Sequence, residues 1–360
     1  MPRIPFALFS FPDPAFNAEV IEKRLRRHLL LIFAAKKDYV SYSVDDPPKQ
    51  WSDFNMPYEP TKRLRRRAKN IADCHANKSP LSRLREEDQK RITSMRNGAE
   101  VIAVPTEHRA DEIAAALEDE YPWMDQANNA VWAAMRRSVR CGDPGFRMHP
   151  ITLAGRPGIA KSHWGAHLGG LLGVPSLIYE STIENASFGL VGSQKGWSTA
   201  DSGQLIELIL TECVANPVVV VNELEKAGSA TSSNGRVFDL AGALLPLLEA
   251  SSAQRWTCPF YKLPFNMGWI NWVITVNDYR QLSAPLMSRC PPIHIPLPSL
   301  VRLTRFAARE GQKHDLSDVA VEAVTAALTW AVKRGFEPDL RVVLRMLDLA
   351  EDMESLPVLH

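Results

Sequence analysis

The segment GRPGIAKS at residues 155–162 restricts the fold of this chain more than any other feature. It follows the short apolar run MHPITLAG and precedes a segment with helical patterning, residues 162–172. A strand, a loop of small residues and a helix in this order form the context of a phosphate-binding loop. Small residues let backbone N–H groups close around phosphate oxygens, and the helix N-terminus adds a dipole that favours anions. The sequence therefore predicts an α/β domain that binds a nucleoside triphosphate.

The loop predicts ATP and Mg²⁺ as cofactors. Lys161 is expected to neutralise the β- and γ-phosphates, and the hydroxyl of Ser162 is expected to ligate Mg²⁺. One position departs from the usual GxxxxGK[ST] pattern, because Ala160 replaces its last glycine, and glycine is favoured at a positive φ or a close approach. The predicted nucleotide-binding residues of the loop are Gly155, Arg156, Pro157, Gly158, Ile159, Ala160, Lys161, Ser162 and His163.

A second apolar run, VVVVNELEKA at residues 218–227, predicts a buried strand that ends in polar residues. Ligands bind at the carboxyl edge of parallel sheets. Glu223 is expected to polarise the attacking water there, and Asn222 is expected to help Ser162 hold Mg²⁺. The run resembles a Walker B strand, which usually ends in aspartate and glutamate, so Asn222 replaces the usual aspartate. Mg²⁺ keeps several waters and is compatible with an amide oxygen, but the missing charge should weaken metal binding.

Two later segments match the pattern of AAA+ proteins. They are ITVNDYRQLSAPLMSRC at residues 274–290 and EPDLRVVLRMLDLA at residues 337–350. In that class a strand ends in a polar residue that touches the γ-phosphate, which here is Asn277. Arg289 matches the arginine that reaches the nucleotide of a neighbouring subunit and stabilises charge during phosphoryl transfer. Arg341 on the last helix is the candidate for a second nucleotide contact, with Arg345 as the alternative.

The order and spacing of these motifs over about residues 120–350 resemble the ATPase module of Lon-type proteases. Two further segments support the resemblance, FGLVGSQKGWSTADSGQLIELI at 188–209 and LLPLLEASSAQRWTCPFYKLPFNMGWINWVITVND at 244–278. The resemblance implies a hexameric ring of identical subunits that pulls protein substrates through a pore, with Trp197 as the pore aromatic. A Lon protease continues into a proteolytic domain beyond its lid, and these 360 residues do not, so no peptidase activity is expected within them.

The expected architecture is an AAA+ domain with a central parallel sheet at 106–298, a small helical lid at 299–360 and a mainly helical, basic region at 1–105. The five cysteines have no metal-ligand spacing, which favours a reducing cytoplasm. The apolar run at 28–35 is too short to cross a membrane.

Three functions stay open at this point: a motor that remodels proteins, a nucleic-acid-associated ATPase and a scaffold that binds ATP and barely hydrolyses it. The nucleic-acid alternative depends on a basic cluster that could contact phosphates. Its members are Lys62, Arg63, Arg65, Arg66 and Arg67. The scaffold alternative depends on the amide at position 222.

Overall fold

The computed structural model describes residues 1–35, 58–182, 187–194, 200–231 and 237–355. The chain divides into two compact units. One unit is Ala7–Arg96, and the other joins Met1–Phe6 to Asn97–His360. The domain boundaries expected from the sequence stay a prediction.

The α-helices of the described residues are α1 Ala18–Ala35, α2 Tyr58–Ala76, α3 Glu86–Thr93, α4 Glu107–Glu120, α5 Asp125–Cys141, α6 Lys161–Leu172, α7 Phe188–Val191, α8 Gln204–Glu212, α9 Leu240–Leu248, α10 Ala250–Ala253, α11 Ala284–Arg289, α12 Leu300–Lys313, α13 Asp318–Lys333 and α14 Leu340–Ser355. The β-strands are β1 Arg3–Ile4, β2 Ala99–Glu100, β3 Ile151–Ala154, β4 Ser176–Glu180, β5 Val218–Asn222, β6 Ser229–Thr231, β7 Val237–Asp239, β8 Trp256–Thr257, β9 Pro264–Phe265, β10 Asn271–Val276 and β11 Pro292–His294.

Within the described residues, five strands form one parallel sheet in the order β11-β3-β10-β5-β4. The central strands β3, β5 and β10 are mostly apolar or β-branched because a sheet covered on both faces buries the side chains on both sides. The four valines of β5, Val218 to Val221, are fully buried. Since the strands are parallel, β3, β5 and β10 all end at the same edge of the sheet. The predicted α/β fold with a central parallel sheet is confirmed.

Helices α12, α13 and α14 pack against one another and continue the core of the sheet domain. Their buried residues recur at helical spacing, so each helix turns one apolar stripe inward. The buried members are Leu303, Ala307, Val324, Leu328, Leu340, Val343 and Leu347. The loop between α13 and α14 and the first turn of α14 lie beside the phosphate loop, where the backbone N–H of Leu340 donates to the carbonyl of Gly158 at 3.1 Å.

In the unit Ala7–Arg96, helices α1 and α2 pack together. Leu64 and Ala68, one turn apart on α2, are buried, whereas the basic side chains between them are exposed. Arg65 pairs with Glu22 of α1 at 3.0 Å. None of the helices in the described part of the chain has the length and apolar character that crossing a membrane requires.

Candidate functional site

The loop between β3 and α6 is held in a fixed conformation by contacts from outside it. Ala160 lies in the left-handed region with φ 65° and ψ 27°, which glycine adopts without the steric penalty of a Cβ atom, about 1 kcal/mol. The indole N–H of Trp123, which is buried, donates to the carbonyl of Ile159 at 3.0 Å. This hydrogen bond, and the one from the N–H of Leu340 to the carbonyl of Gly158, support the loop, in which an alanine replaces the usual last glycine.

Lys161 is the first residue of α6 and its side chain is only 7% exposed. The ammonium group donates to the carbonyls of Gly155 at 2.5 Å and Arg156 at 2.9 Å, and to Asn277 Oδ1 at 3.2 Å. Burial lowers the pKa of Lys161 to about 8, against the opposing effect of nearby carboxylates. A polyanion bound beside the ammonium group would favour its charged form.

Asn222, at the end of β5, lies at the centre of a hydrogen-bond network. Its side-chain oxygen accepts from two hydroxyl groups, those of Ser162 and Thr275, each at 2.6 Å. Its amide nitrogen donates to both carboxylate oxygens of Glu180 on β4, at 2.9 and 2.8 Å. The network joins the first turn of α6 to the ends of β4, β5 and β10.

Glu223 follows Asn222 and adopts the left-handed conformation, with φ 51°. Its carboxylate accepts from the amide of Asn277 at 3.1 Å and from the ammonium group of Lys226 at 2.8 Å. The hydrogen bond from Lys226 is the largest cause that lowers the pKa of Glu223. The carboxylate is therefore held in its ionised, hydrogen-bond-accepting form next to the side chain of Asn277.

These groups face one cavity of about 370 Å³. Most of the residues predicted to bind nucleotide or to act on it line this cavity. They are Pro157, Gly158, Ile159, Ala160, Lys161, Ser162, His163, Asn222, Glu223, Asn277 and Arg341. The cavity also has aromatic and aliphatic walls from Tyr121, Phe306 and Leu344.

Three of the predicted residues lie elsewhere. Gly155 and Arg156 begin the loop and do not line this cavity, and their carbonyls accept from Lys161. Arg289, at the end of α11, lines a different cavity of about 650 Å³. There its guanidinium group pairs with Glu249 at 3.0 Å and donates to the carbonyl of Pro285 at 3.1 Å.

Trp197 lies outside the described residues, but the base of its segment is described. The chain leaves α7 at Gly192 and returns to α8 at Gly203, and both glycines have a positive φ, 85° and 87°. A Cβ atom on Gly203 would collide with the backbone of Gly192, so the two strands of the base pass in backbone contact. The backbone N–H of Ser193 donates to the carbonyl of Asp201 at 3.0 Å and closes this base.

Sequence reasoning did not single out Trp123, Thr275 or Glu180. Thr275 and Glu180 reach Asn222 through strand register, since Glu180 lies directly opposite Asn222 in the sheet. Trp123 reaches the loop from the segment between α4 and α5. No local pattern marks such residues, because their partners are 36 to 53 residues away in the chain.

The parallel sheet, the loop at its edge and the polar ends of β5 and β10 form the arrangement that is expected of a P-loop domain of the AAA+ class. Comparison with curated proteins narrows the resemblance to Lon-type proteases. The chain is 24% identical over 185 residues to Lon protease 4 of Sorangium cellulosum, which covers 51% of this chain and 22% of that protein. It is 28% identical over 187 residues to the mitochondrial Lon protease homolog of Ostreococcus lucimarinus, which covers 49% and 19%.

A third relative, the Lon protease of Halothermothrix orenii, is 23% identical over 186 residues, which is 52% of this chain and 23% of that protein. The predicted resemblance to Lon-type proteases is confirmed. The matched segment spans only about a fifth of the length of these relatives. No protein-family model matches the chain.

Proposed function

We propose that this chain binds ATP with Mg²⁺ in the 370 Å³ cavity and hydrolyses it. One observation carries the proposal: side chains from four separate elements converge there with the chemistry that a triphosphate requires. The first turn of α6 contributes Lys161 and Ser162, β5 ends in Asn222 and is followed by Glu223, β10 is followed by Asn277, and α14 contributes Arg341.

The donor set also fits a magnesium ion. Mg²⁺ prefers hard oxygen ligands and retains several waters, so one or two protein groups are enough. The hydroxyl of Ser162 already donates its hydrogen to Asn222, which leaves lone pairs on its oxygen for a metal. When bound, Mg²⁺ would offset the negative charge of the phosphates.

Glu223 is the best candidate for the group that orients the attacking water. Its pKa is lowered, so the carboxylate accepts a hydrogen bond from water rather than donating one. Asn277 contacts both Glu223 and Lys161 and is therefore placed to couple the acidic side of the site to the phosphate-binding side.

We further propose that the chain works as a ring-forming motor on protein substrates. Two observations support this proposal: the similarity to Lon-type proteases, and the location of Arg289 outside the nucleotide cavity of its own chain. An arginine that stabilises phosphoryl transfer from there would have to act on the site of a neighbouring subunit.

A scaffold that binds ATP and barely hydrolyses it is the second candidate. Two observations favour it: residue 222 is an amide, and Glu223 is held by an ion pair with Lys226.

Steady-state ATPase activity of the wild-type chain separates the candidates, measured alone, with an unfolded protein and with DNA or RNA. Stimulation by the unfolded protein supports the motor, and stimulation by nucleic acid supports the alternative that depends on the basic cluster of α2. Saturable ATP binding without turnover in any mixture supports the scaffold.

A further inference from the structure

The interaction between Asn222 and Glu180 has a geometry that fixes which way the amide faces. The two hydroxyl groups of Ser162 and Thr275 can donate or accept, so they do not distinguish the oxygen of the amide from its nitrogen. A carboxylate can only accept. Because both oxygens of Glu180 lie within 2.9 Å of the Asn222 nitrogen, the nitrogen must face Glu180 and the oxygen must face Ser162.

Glu180 also supplies charge at this corner of the site. An aspartate at position 222 would bring a negative charge directly to Ser162, whereas an asparagine brings none. Glu180 lies one strand away, at the carboxyl end of β4, and its carboxylate is separated from Ser162 by the width of one amide group. The site therefore keeps a negative charge, which lies one hydrogen bond farther from Ser162 than the carboxylate of an aspartate at position 222 would.

We propose that Glu180 is the positioning residue of the metal site: it orients the amide of Asn222 toward Ser162 and provides the negative charge that favours Mg²⁺ there. This inference rests on the proposed function, since it concerns Mg²⁺ bound with ATP. In this arrangement Asn222 on β5 supplies the oxygen that accepts from Ser162, and Glu180 on β4 supplies the negative charge.

The test measures ATP affinity by displacement of a fluorescent ATP analogue, once with Mg²⁺ and once with a chelator, for the wild type and three variants. Glu180→Gln removes the charge and also the preference for one orientation of the amide. Asn222→Asp places two carboxylates side by side. The double variant Glu180→Gln with Asn222→Asp exchanges the two groups and keeps the total charge. The exposed carboxylate of Glu212 on α8 gives a matched control, Glu212→Gln.

We expect Glu180→Gln to lower affinity for ATP about tenfold or more when Mg²⁺ is present, because the lost charge acts on the cation, and not to lower affinity without Mg²⁺, because that charge repels the phosphates. The exchanged double variant should regain most of the wild-type effect of Mg²⁺. Asn222→Asp alone should lower the unfolding temperature of the nucleotide-free protein, since two like charges lie within hydrogen-bond distance.

Two results would overturn the inference while leaving the proposed function in place. In one, Glu180→Gln gains as much affinity from Mg²⁺ as the wild type and the Glu212→Gln control do. In the other, the double variant binds ATP with Mg²⁺ as weakly as Glu180→Gln, which would mean that a negative charge at this corner is not what favours Mg²⁺. Failure of the wild type to bind ATP under both conditions would instead contradict the proposed function, and the inference with it.

Discussion

The 370 Å³ cavity that we propose to bind ATP and the turn that carries Arg289 differ in how many of their functional groups lie within one chain. In the cavity, the charged groups are linked by hydrogen bonds within one chain. Lys161 donates to two carbonyls and to Asn277, and Asn277 also donates to Glu223. Arg289 has Glu249 and a backbone carbonyl as partners, in a separate cavity of larger volume.

Under the proposed function, ATP binding needs one chain, whereas the proposed role of Arg289 in hydrolysis needs a second copy. The groups that we propose to bind ATP all line one cavity of a single chain. The turn at Arg289 presents a cation that has no described contact with that cavity, so its proposed role depends on assembly. Variants in the two regions should therefore fail in different ways.

The largest effect is expected from Lys161→Ala. Removing the buried ammonium group leaves the phosphates without their cation, so we expect no measurable ATP binding at concentrations that saturate the wild type, and no turnover. Calorimetric titration with ATP and Mg²⁺ measures this directly. Lys333→Ala, at the exposed end of α13, is the control for loss of a lysine. Wild-type affinity in Lys161→Ala would remove the assignment of the phosphate loop.

Arg289→Ala should separate turnover from binding. We expect turnover to fall by roughly 10³-fold, because an arginine that acts across a subunit boundary stabilises charge in the transition state. ATP affinity should change little, since Arg289 does not line the cavity of its own chain. The specific activity of the wild type should also rise with protein concentration.

Arg280→Ala provides the control for Arg289→Ala, because Arg280 is exposed and pairs only with the neighbouring Asp278 among the described residues. An undiminished turnover of wild-type protein at all dilutions, or a loss of ATP binding in Arg289→Ala, would mean that the two regions do not differ as proposed.

Glu223→Gln tests the catalytic side of the cavity. The amide preserves size but removes the charge that orients water, so we expect turnover to fall by about 10²-fold or more while ATP affinity is retained. Single-turnover hydrolysis and equilibrium binding measure the two quantities separately. Glu322→Gln on α13, an exposed residue, is the control. If Glu223→Gln hydrolyses ATP at the wild-type rate, another group activates the water.

Trp123→Phe should have the smallest effect, because it changes the support of the loop rather than a group that faces the phosphates. The carbonyl of Ile159 loses its indole donor in a buried place, which costs about 1–3 kcal/mol of stability. We expect a lower unfolding temperature and an ATP affinity reduced a few-fold. Trp330→Phe, on the exposed face of α13, should change neither quantity. An unchanged unfolding temperature in Trp123→Phe would show that the indole does not hold the loop.

Local sequence patterns predicted the parts of this molecule whose neighbours in space are also neighbours in sequence. A segment of about ten residues is enough to predict each of these parts: the loop before α6 and the buried strands β3, β5 and β10. The short edge strands β4 and β11 are absent from the sequence prediction, because an edge strand is partly exposed and lacks a continuous apolar run.

The interactions within the site depend on strand register and helix rotation, which a single sequence does not reveal. Glu180 is an unremarkable acid until β4 pairs with β5 and places it opposite Asn222. The sequence left Arg341 and Arg345 as alternatives, and in the structure Arg341 lines the nucleotide cavity, because α14 begins at Leu340 and turns that residue toward the loop.

Hydrogen–deuterium exchange of the wild-type chain, with and without saturating ATP and Mg²⁺, tests the central claim most directly. If ATP binds in the proposed cavity, the amides of residues 156–164 and of the segment that follows β5 should exchange more slowly when ATP is present. Residues around Arg289 should be protected only at protein concentrations that allow assembly. Protection confined to the Arg289 cavity, or no protection of the phosphate loop, would contradict the account.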